Sequence, residues 1–253
     1  MSVPLLARTV GSGPPLLLVH GAAEDVGLLT PQAEAFAARG RRVVWYDRRG
    51  TGGSTRDGWP EGGVTAHADD AAALLRSLDA EPATVLGFSS GGVVALALAA
   101  RHPEVVAEAI AWEPAAVGML PGGAALHARL LAPVEAHLDV HPGDWSGAYA
   151  RMLDVLSDGH ADHGSALVQA MAVNAEAALR DDARILTRHV FARGELPADR
   201  VTIAIGAAAD PLHAAVAERF ATELGRLPLV VAGADHEVYL SRPEVLADAL
   251  AGR

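Results

Sequence analysis

Over the first 112 residues, short apolar runs alternate with longer segments rich in Ala and Leu. This is the rhythm of a parallel sheet with helices packed on both faces. Residues 16–19 form a compact apolar run after Gly13-Pro14-Pro15 and predict a buried strand. Residues 30–39 predict a helix, with Thr30 as its cap, Pro31 at its first position and Gly40 as its stop. Strands follow at 43–46, 83–86 and 108–112, with helices at 69–78 and 93–101, the latter stopped by His102-Pro103. The rhythm then breaks. From 115 to 196 no strand-like run occurs, and helical stretches at 124–139 (disrupted by Pro133), 144–156, 165–180 and 182–192 succeed one another. Strand patterns resume at 201–205 and 228–231, and a last helix spans 242–250. The expected organisation is an α/β core of residues 1–114 and 197–253, interrupted by a helical cap at 115–196. No repeat and no flexible linker divides the chain.

Composition narrows the function classes. The 253 residues suffice for one domain with an inserted cap, and 51 % hydrophobic against 20 % charged residues is ordinary globular material. A formal charge of −11 repels phosphate backbones, so no nucleic-acid partner is expected. The absence of Cys excludes disulfides, thiolate metal sites and Cys nucleophiles. Residues 1–10 lack the basic and apolar regions of a signal peptide, and the longest apolar run, 93–100, is too short to span a bilayer. The expectation is a cytoplasmic protein with no membrane partner.

The segment Gly87-Phe88-Ser89-Ser90-Gly91 fits G-x-S-x-G between a strand and an apolar helix. A nucleophile on so sharp a turn needs small residues two before and two after it, so that neighbouring chain can pass. Its hydroxyl then stands at a helix N-terminus, which favours negative charge. The glycine spacing centres on Ser89, leaving Ser90 to supply its backbone N–H.

A serine hydroxyl needs a general base. Of eleven histidines, His236 lies just after the last strand, where open α/β sheets place their sites. His102 reads as a helix-end cap, and His127, His137, His141, His160, His163 and His189 fall in the cap region. His213 is a weaker competitor, near Asp210. The imidazole needs a carboxylate behind it. Asp210 follows the strand at 201–205 and is the preferred acid; Glu113, after the strand at 108–112, is the alternative; Asp235 reads as structural.

With these pieces in order, the chain resembles the α/β-hydrolase superfamily over nearly its whole length. The matching segments are His20-Gly21, Asp47-Arg48-Arg49-Gly50-Thr51-Gly52-Gly53-Ser54, the Ser89 turn, Asp210-Pro211 and His236. Within it, the chain is similar to small capped bacterial esterases, lactonases and cofactor-free perhydrolases. The resemblance implies a catalytic set of Ser89, Asp210 and His236, with an oxyanion hole of backbone N–H groups from Ala22 and Ser90 and no cofactor. It departs from the family in two places. Only residues 4–10 are available for the usual pair of antiparallel opening strands, and the lipase His-Gly-Gly-Gly signature is absent. Ser at the elbow argues against epoxide hydrolases and haloalkane dehalogenases, which carry Asp there. Glu24 and Asp25 read as structural.

In such a family the cap sets specificity. Its apolar candidates are Met119, Leu120, Trp145, Tyr149, Met152, Leu153, Met171 and Val173, with Phe88 beside the nucleophile and Trp112 in the sheet core. Phe88, Trp145 and Tyr149 are the expected substrate-binding residues. The expected substrate is a medium-sized, largely apolar ester, lactone or thioester. An acyl transferase or cyclase with the same acyl-enzyme, and a non-catalytic small-molecule receptor, are the rival readings. A metal site at His160-Ala161-Asp162-His163 is not expected, because such clusters are usually solvated loops.

Overall fold

The computed structural model describes residues 4–252; Met1–Val3, the start of the segment tested for a signal peptide, and Arg253 lie outside it. The sheet has seven strands, β1 (Ala7–Val10), β2 (Pro15–Val19), β3 (Arg42–Tyr46), β4 (Ala83–Phe88), β5 (Val106–Trp112), β6 (Val201–Gly206) and β7 (Leu229–Val231), in spatial order β1-β3-β2-β4-β5-β6-β7. Only β1 is antiparallel, paired with β3 through Ala7↔Tyr46. It is the one opening strand among the described residues.

Period-two alternation builds both cores from the same strands. Leu17, Val19, Val44, Tyr46, Val85, Ala109 and Ala111 point into one cluster, and Leu16, Leu18, Val43, Trp45, Leu86, Ile110 and Trp112 into the other. Helices α1 (Val26–Ala37), α2 (Gly63–Ser77) and α3 (Ser90–Arg101) follow the first strands. Helix α3 is buried from Ser90 to Ala99, which explains its lack of a polar face. Helix α1 starts five residues before its expected cap and first position. Asp25, not Thr30, is its cap, accepting from the N–H groups of Gly27 and Leu28. Pro31 sits inside the helix, and Thr30 Oγ1 donates to the Val26 carbonyl at 2.7 Å.

Between β5 and β6 the described residues contain no strand. Helices α4 (Gly123–Val140), α5 (Trp145–Leu156), α6 (Ala166–Ala172) and α7 (Ala175–Ala177) fill this stretch, and α7 runs on into a π-helical segment, Ala178–Leu186. Pro133 does not break α4. These helices form a separate apolar cluster around Val134, Ala148, Tyr149, Leu179 and Ala183, to which Ala23 of the β2–α1 loop also belongs. After β6 comes α8 (Pro211–Leu224), a helix the hydrophobic pattern had not marked, then α9 (Val238–Ser241) and α10 (Pro243–Leu250). No helix of the described residues is long and apolar enough to cross a membrane.

Candidate active site

Ser89 occupies a strained turn. It connects β4 to α3 with φ 52° and ψ −118°, a backbone that L-residues rarely adopt. Its N–H donates to the Trp112 carbonyl at 3.0 Å, which ties the turn to the end of the neighbouring strand. The two motif glycines are required by packing. A Cβ on Gly87 would lie 2.2 Å from the Gly91 carbonyl oxygen, and one on Gly91 would lie 2.3 Å from the carbonyl oxygens of both Val19 and His20.

Strand register brings Glu113 beside the serine. Phe88 pairs with Trp112, so Ser89 and Glu113 are the first residues beyond two adjacent strand ends. Glu113 is itself in the left-handed region, at φ 40°, and its side chain is wholly buried. One carboxylate oxygen accepts from the Gly206 N–H at 2.9 Å, and the other faces His236 Nδ1 at 2.7 Å. The His236 backbone is held in turn, because its carbonyl accepts from the Trp112 indole at 3.0 Å. Trp112 therefore lies in the sheet core, as expected, and also anchors the histidine loop.

His236 thus faces Glu113, the alternative acid, and not the preferred Asp210. Asp210 does not reach His236. Its carboxylate caps α8, accepting from the N–H groups of Leu212 at 2.8 Å and His213 at 3.1 Å, and its other oxygen bonds His213 Nδ1. Burial pushes this carboxyl up, but the His213 bond and charge, with the two N–H donors, hold it below the usual carboxylate range. Asp followed by Pro is a helix-start signature, and that signal was present in Asp210-Pro211. His213 stacks on His236 with ring centroids 4.1 Å apart, and its Nδ1 is 4.0 Å from the Glu113 carboxylate.

The loop after β2 carries Ala22, whose N–H meets no acceptor among the described residues. Ala23 follows at φ 64°, and Glu24 closes the turn by accepting from the Gly21 N–H at 2.9 Å. Glu24 also accepts from the Tyr239 hydroxyl. Burial lifts its pKa to about 7, against the lowering effects of Tyr239, the Gly21 N–H and Arg48. Both residues hold structure, as read from the sequence: Asp25 caps α1, and Glu24, buried within the loop, braces its turn. His20 is buried too. It donates from Nδ1 to the Gly21 carbonyl and accepts at Nε2 from the Arg48 N–H. Burial, then the charge of Arg48, pushes its pKa well below the usual imidazole value.

The expected substrate contacts divide. Phe88 is fully buried under the elbow, stacked on Tyr239 at 4.2 Å, and offers no surface to a ligand; this corrects its assignment. Tyr149 is 2 % exposed in the cluster of the helices between β5 and β6, and burial, then the charges of Glu24, Glu237 and Asp182, pushes its hydroxyl pKa up. Trp145 packs at the margin of the same cluster. Met119 belongs to the sheet core, and Val173 is 81 % exposed. His163 pairs with Asp154 at 2.7 Å, and His102 caps the end of α3, its N–H donating to the Leu98 carbonyl at 2.8 Å, while its ring pairs with Asp69 at 2.6 Å. Among the described residues, only Glu113, His213 and His236 gather in the manner of metal ligands.

Comparison with known proteins agrees with this architecture. A family model for the alpha/beta hydrolase fold matches residues 14–243. The uncharacterized hydrolase YraK of Bacillus subtilis is 43 % identical over 113 residues, 44 % of this chain and 41 % of YraK. The 2-hydroxymuconate semialdehyde hydrolase of a Pseudomonas species is 37 % identical over 102 residues, 38 % of this chain and 35 % of that enzyme. The matched stretches thus span about two fifths of these curated relatives. Among solved structures, a carboxylesterase of the thaumarchaeon Nitrososphaera superposes with a TM-score of 0.75 at 19 % identity, covering 100 % of this chain and 96 % of its own. From the elbow, the strand order and this match, the chain belongs to the alpha/beta hydrolase fold family.

Proposed function

We propose that the protein hydrolyses an ester-type bond through an acyl-enzyme on Ser89, with His236 as general base and Glu113 as the acid behind it. The observation that carries this reading is the Glu113–His236 hydrogen bond, set at the strand end adjoining the elbow. The carboxylate accepts a hydrogen bond from Nδ1–H, which keeps that proton on Nδ1 and leaves Nε2 unprotonated and able to take a proton from a hydroxyl. Ser89 Oγ attacks the acyl carbon while His236 Nε2 takes its proton. The carbonyl oxygen becomes an oxyanion, met by the N–H groups of Ala22 and Ser90. His236 returns the proton to the leaving oxygen, and water repeats the sequence to release the acid. Through both steps Glu113 stabilises the imidazolium.

The cap helices between β5 and β6 would roof this site. Ala22 and Ala23 of the β2–α1 loop pack against the apolar cluster of these helices, which supports a roof over the site and a medium-sized, largely apolar ester, lactone or thioester as its substrate. The test is a series of p-nitrophenyl esters from acetate to laurate, assayed with the wild type and Ser89→Ala. The reading expects turnover that peaks at intermediate chain length and is abolished in the variant. A profile confined to acetate, or unchanged activity in Ser89→Ala, contradicts it.

A further inference from the structure

A group of buried charges beneath the elbow remains unused by this chemistry. Arg48, the second residue after β3, is 1 % exposed, and its Nη2 donates to Asp182 Oδ1 at 2.5 Å and to the Gly21 carbonyl at 3.2 Å. Asp182, on the π-helical segment, is 2 % exposed, and the same Oδ1 accepts from Ser90 Oγ at 2.5 Å. A buried ion pair is a costly element of a core and weak evidence for stability in itself. What distinguishes this one is where its hydrogen bonds end.

Both ends fall on the candidate oxyanion donors. The Gly21 carbonyl and the Ala22 N–H belong to one peptide group. That group is planar and trans, so its C=O and N–H point in opposite directions. Fixing the carbonyl toward Arg48 and His20 therefore aims the N–H the other way. The Gly21 N–H is held as well, by Glu24, so the peptide groups on either side of Gly21 are both restrained. On the other arm, the Ser90 N–H lies in the first turn of α3, where no intrahelical acceptor is available. Its side chain is tethered to Asp182. A single guanidinium nitrogen thus touches one arm directly and the other through one carboxylate oxygen. Charge-assisted bonds of this kind are the short, strong ones.

We propose that Arg48 and Asp182 are positioning residues that lock the Ala22 and Ser90 N–H groups into one preorganised oxyanion hole. The inference rests on the hydrolase reading above. It also assigns the π-helical segment a task, since that segment carries Asp182 from the cap region to the elbow. Asp181, its neighbour, turns to His67 at 2.6 Å and the Trp59 indole at 3.1 Å, which seats the segment against α2 and the β3–α2 loop.

Three variants test this: Ser90→Ala, which removes only the hydroxyl tether; Asp182→Asn; and the apolar double replacement Arg48→Met with Asp182→Leu, which leaves no buried charge unpaired. The first measurement needs no turnover. Crystal structures of each variant report the orientation of the Gly21–Ala22 peptide. A rotated or disordered peptide in the double variant is expected; one unchanged from the wild type overturns the proposal. The second measurement compares kcat and KM for the best ester with the affinity of a trifluoromethyl ketone that mimics the tetrahedral state. For the double variant and Asp182→Asn, kcat should fall on the order of 10- to 100-fold with KM within about threefold, and ketone affinity should fall in parallel. Ser90→Ala should show a smaller loss in the same direction. A merely structural pair would lower the amount of folded enzyme and leave the ratio of ketone to substrate affinity unchanged, which also overturns the proposal. Wild-type protein inert toward every ester refutes the hydrolase reading, while the peptide orientation still decides the brace.

Discussion

Replacing Glu113 by Gln is the sharpest single perturbation of the site. The amide is nearly isosteric with the carboxylate, so packing is preserved. Its orientation is dictated by the neighbour on the far side: the Gly206 N–H, now 2.9 Å from one oxygen, needs an acceptor and holds the amide oxygen there. The amide NH2 is then presented to His236 Nδ1, which sits 2.7 Å from the other oxygen. A donor facing Nδ1 stabilises the tautomer protonated on Nε2, and that tautomer cannot accept a proton from Ser89. The imidazolium formed during attack also loses its counter-charge. In a serine protease the equivalent change lowers kcat about 10⁴-fold; about 10³- to 10⁴-fold is expected here, or about 4–5.5 kcal/mol at 1.36 kcal/mol per decade. Asp210→Asn is the matched control. Asn retains the N-cap acceptor on α8 and loses only the charge facing His213, so kcat should stay within about tenfold of wild type. The assay is steady-state hydrolysis of the best p-nitrophenyl ester, with urea unfolding to show that both variants fold. The reverse ranking, with Asp210→Asn crippled and Glu113→Gln nearly normal, refutes the assignment.

Three further outcomes are expected. Gly91→Ala places a Cβ 2.3 Å from two carbonyl oxygens, so the elbow must shift; activity should be lost and the Tm lowered by several degrees, measured by calorimetry. Glu24 has a folded pKa of about 7 against an ordinary 4.5, so it favours the folded state most below pH 4.5 and loses that contribution as pH rises through 7. Those 2.5 units correspond to about 3 kcal/mol, and urea titrations at pH 5 and pH 8 should show a smaller difference in Glu24→Gln than in the wild type. Trp145, partly buried at the margin of its cluster, is the testable contact: Trp145→Ala should lower kcat/KM for octanoate relative to acetate esters several-fold, and equal effects on all chain lengths would remove it from the substrate wall.

The fold was legible where burial is two-sided. The strands around Leu16, Val43, Val85 and Ile110 are continuous apolar runs because both faces are covered, and their ends lie at Pro, Gly or Asp residues that break the pattern. Less was legible where context overrides a local signal. Thr30-Pro31 mimics a helix start, yet the exposed Gly27 lies four residues back, where its carbonyl can meet water, and Pro31 is tolerated inside α1. The π-helical segment has no periodic signature that separates it from an α-helix. In the site, the elbow and His236 were readable from spacing and strand ends. The acid was not, because two carboxylates follow two strand ends and order along the chain cannot tell which one faces the histidine. That contact follows from register and from the positive φ of Glu113, and both exist only in three dimensions. The brace of Arg48 and Asp182 joins residues 134 positions apart, beyond the reach of any local pattern.

The central claim is that Ser89 is an activated nucleophile served by His236 and Glu113. Labelling with a fluorophosphonate probe, mapped by mass spectrometry, tests it most directly. The account predicts a single modified residue, Ser89, with labelling abolished in Ser89→Ala and slowed by several orders of magnitude in His236→Ala and Glu113→Gln. Modification at Ser90 or elsewhere, or labelling of Ser89 at an undiminished rate in the His236 and Glu113 variants, would contradict it.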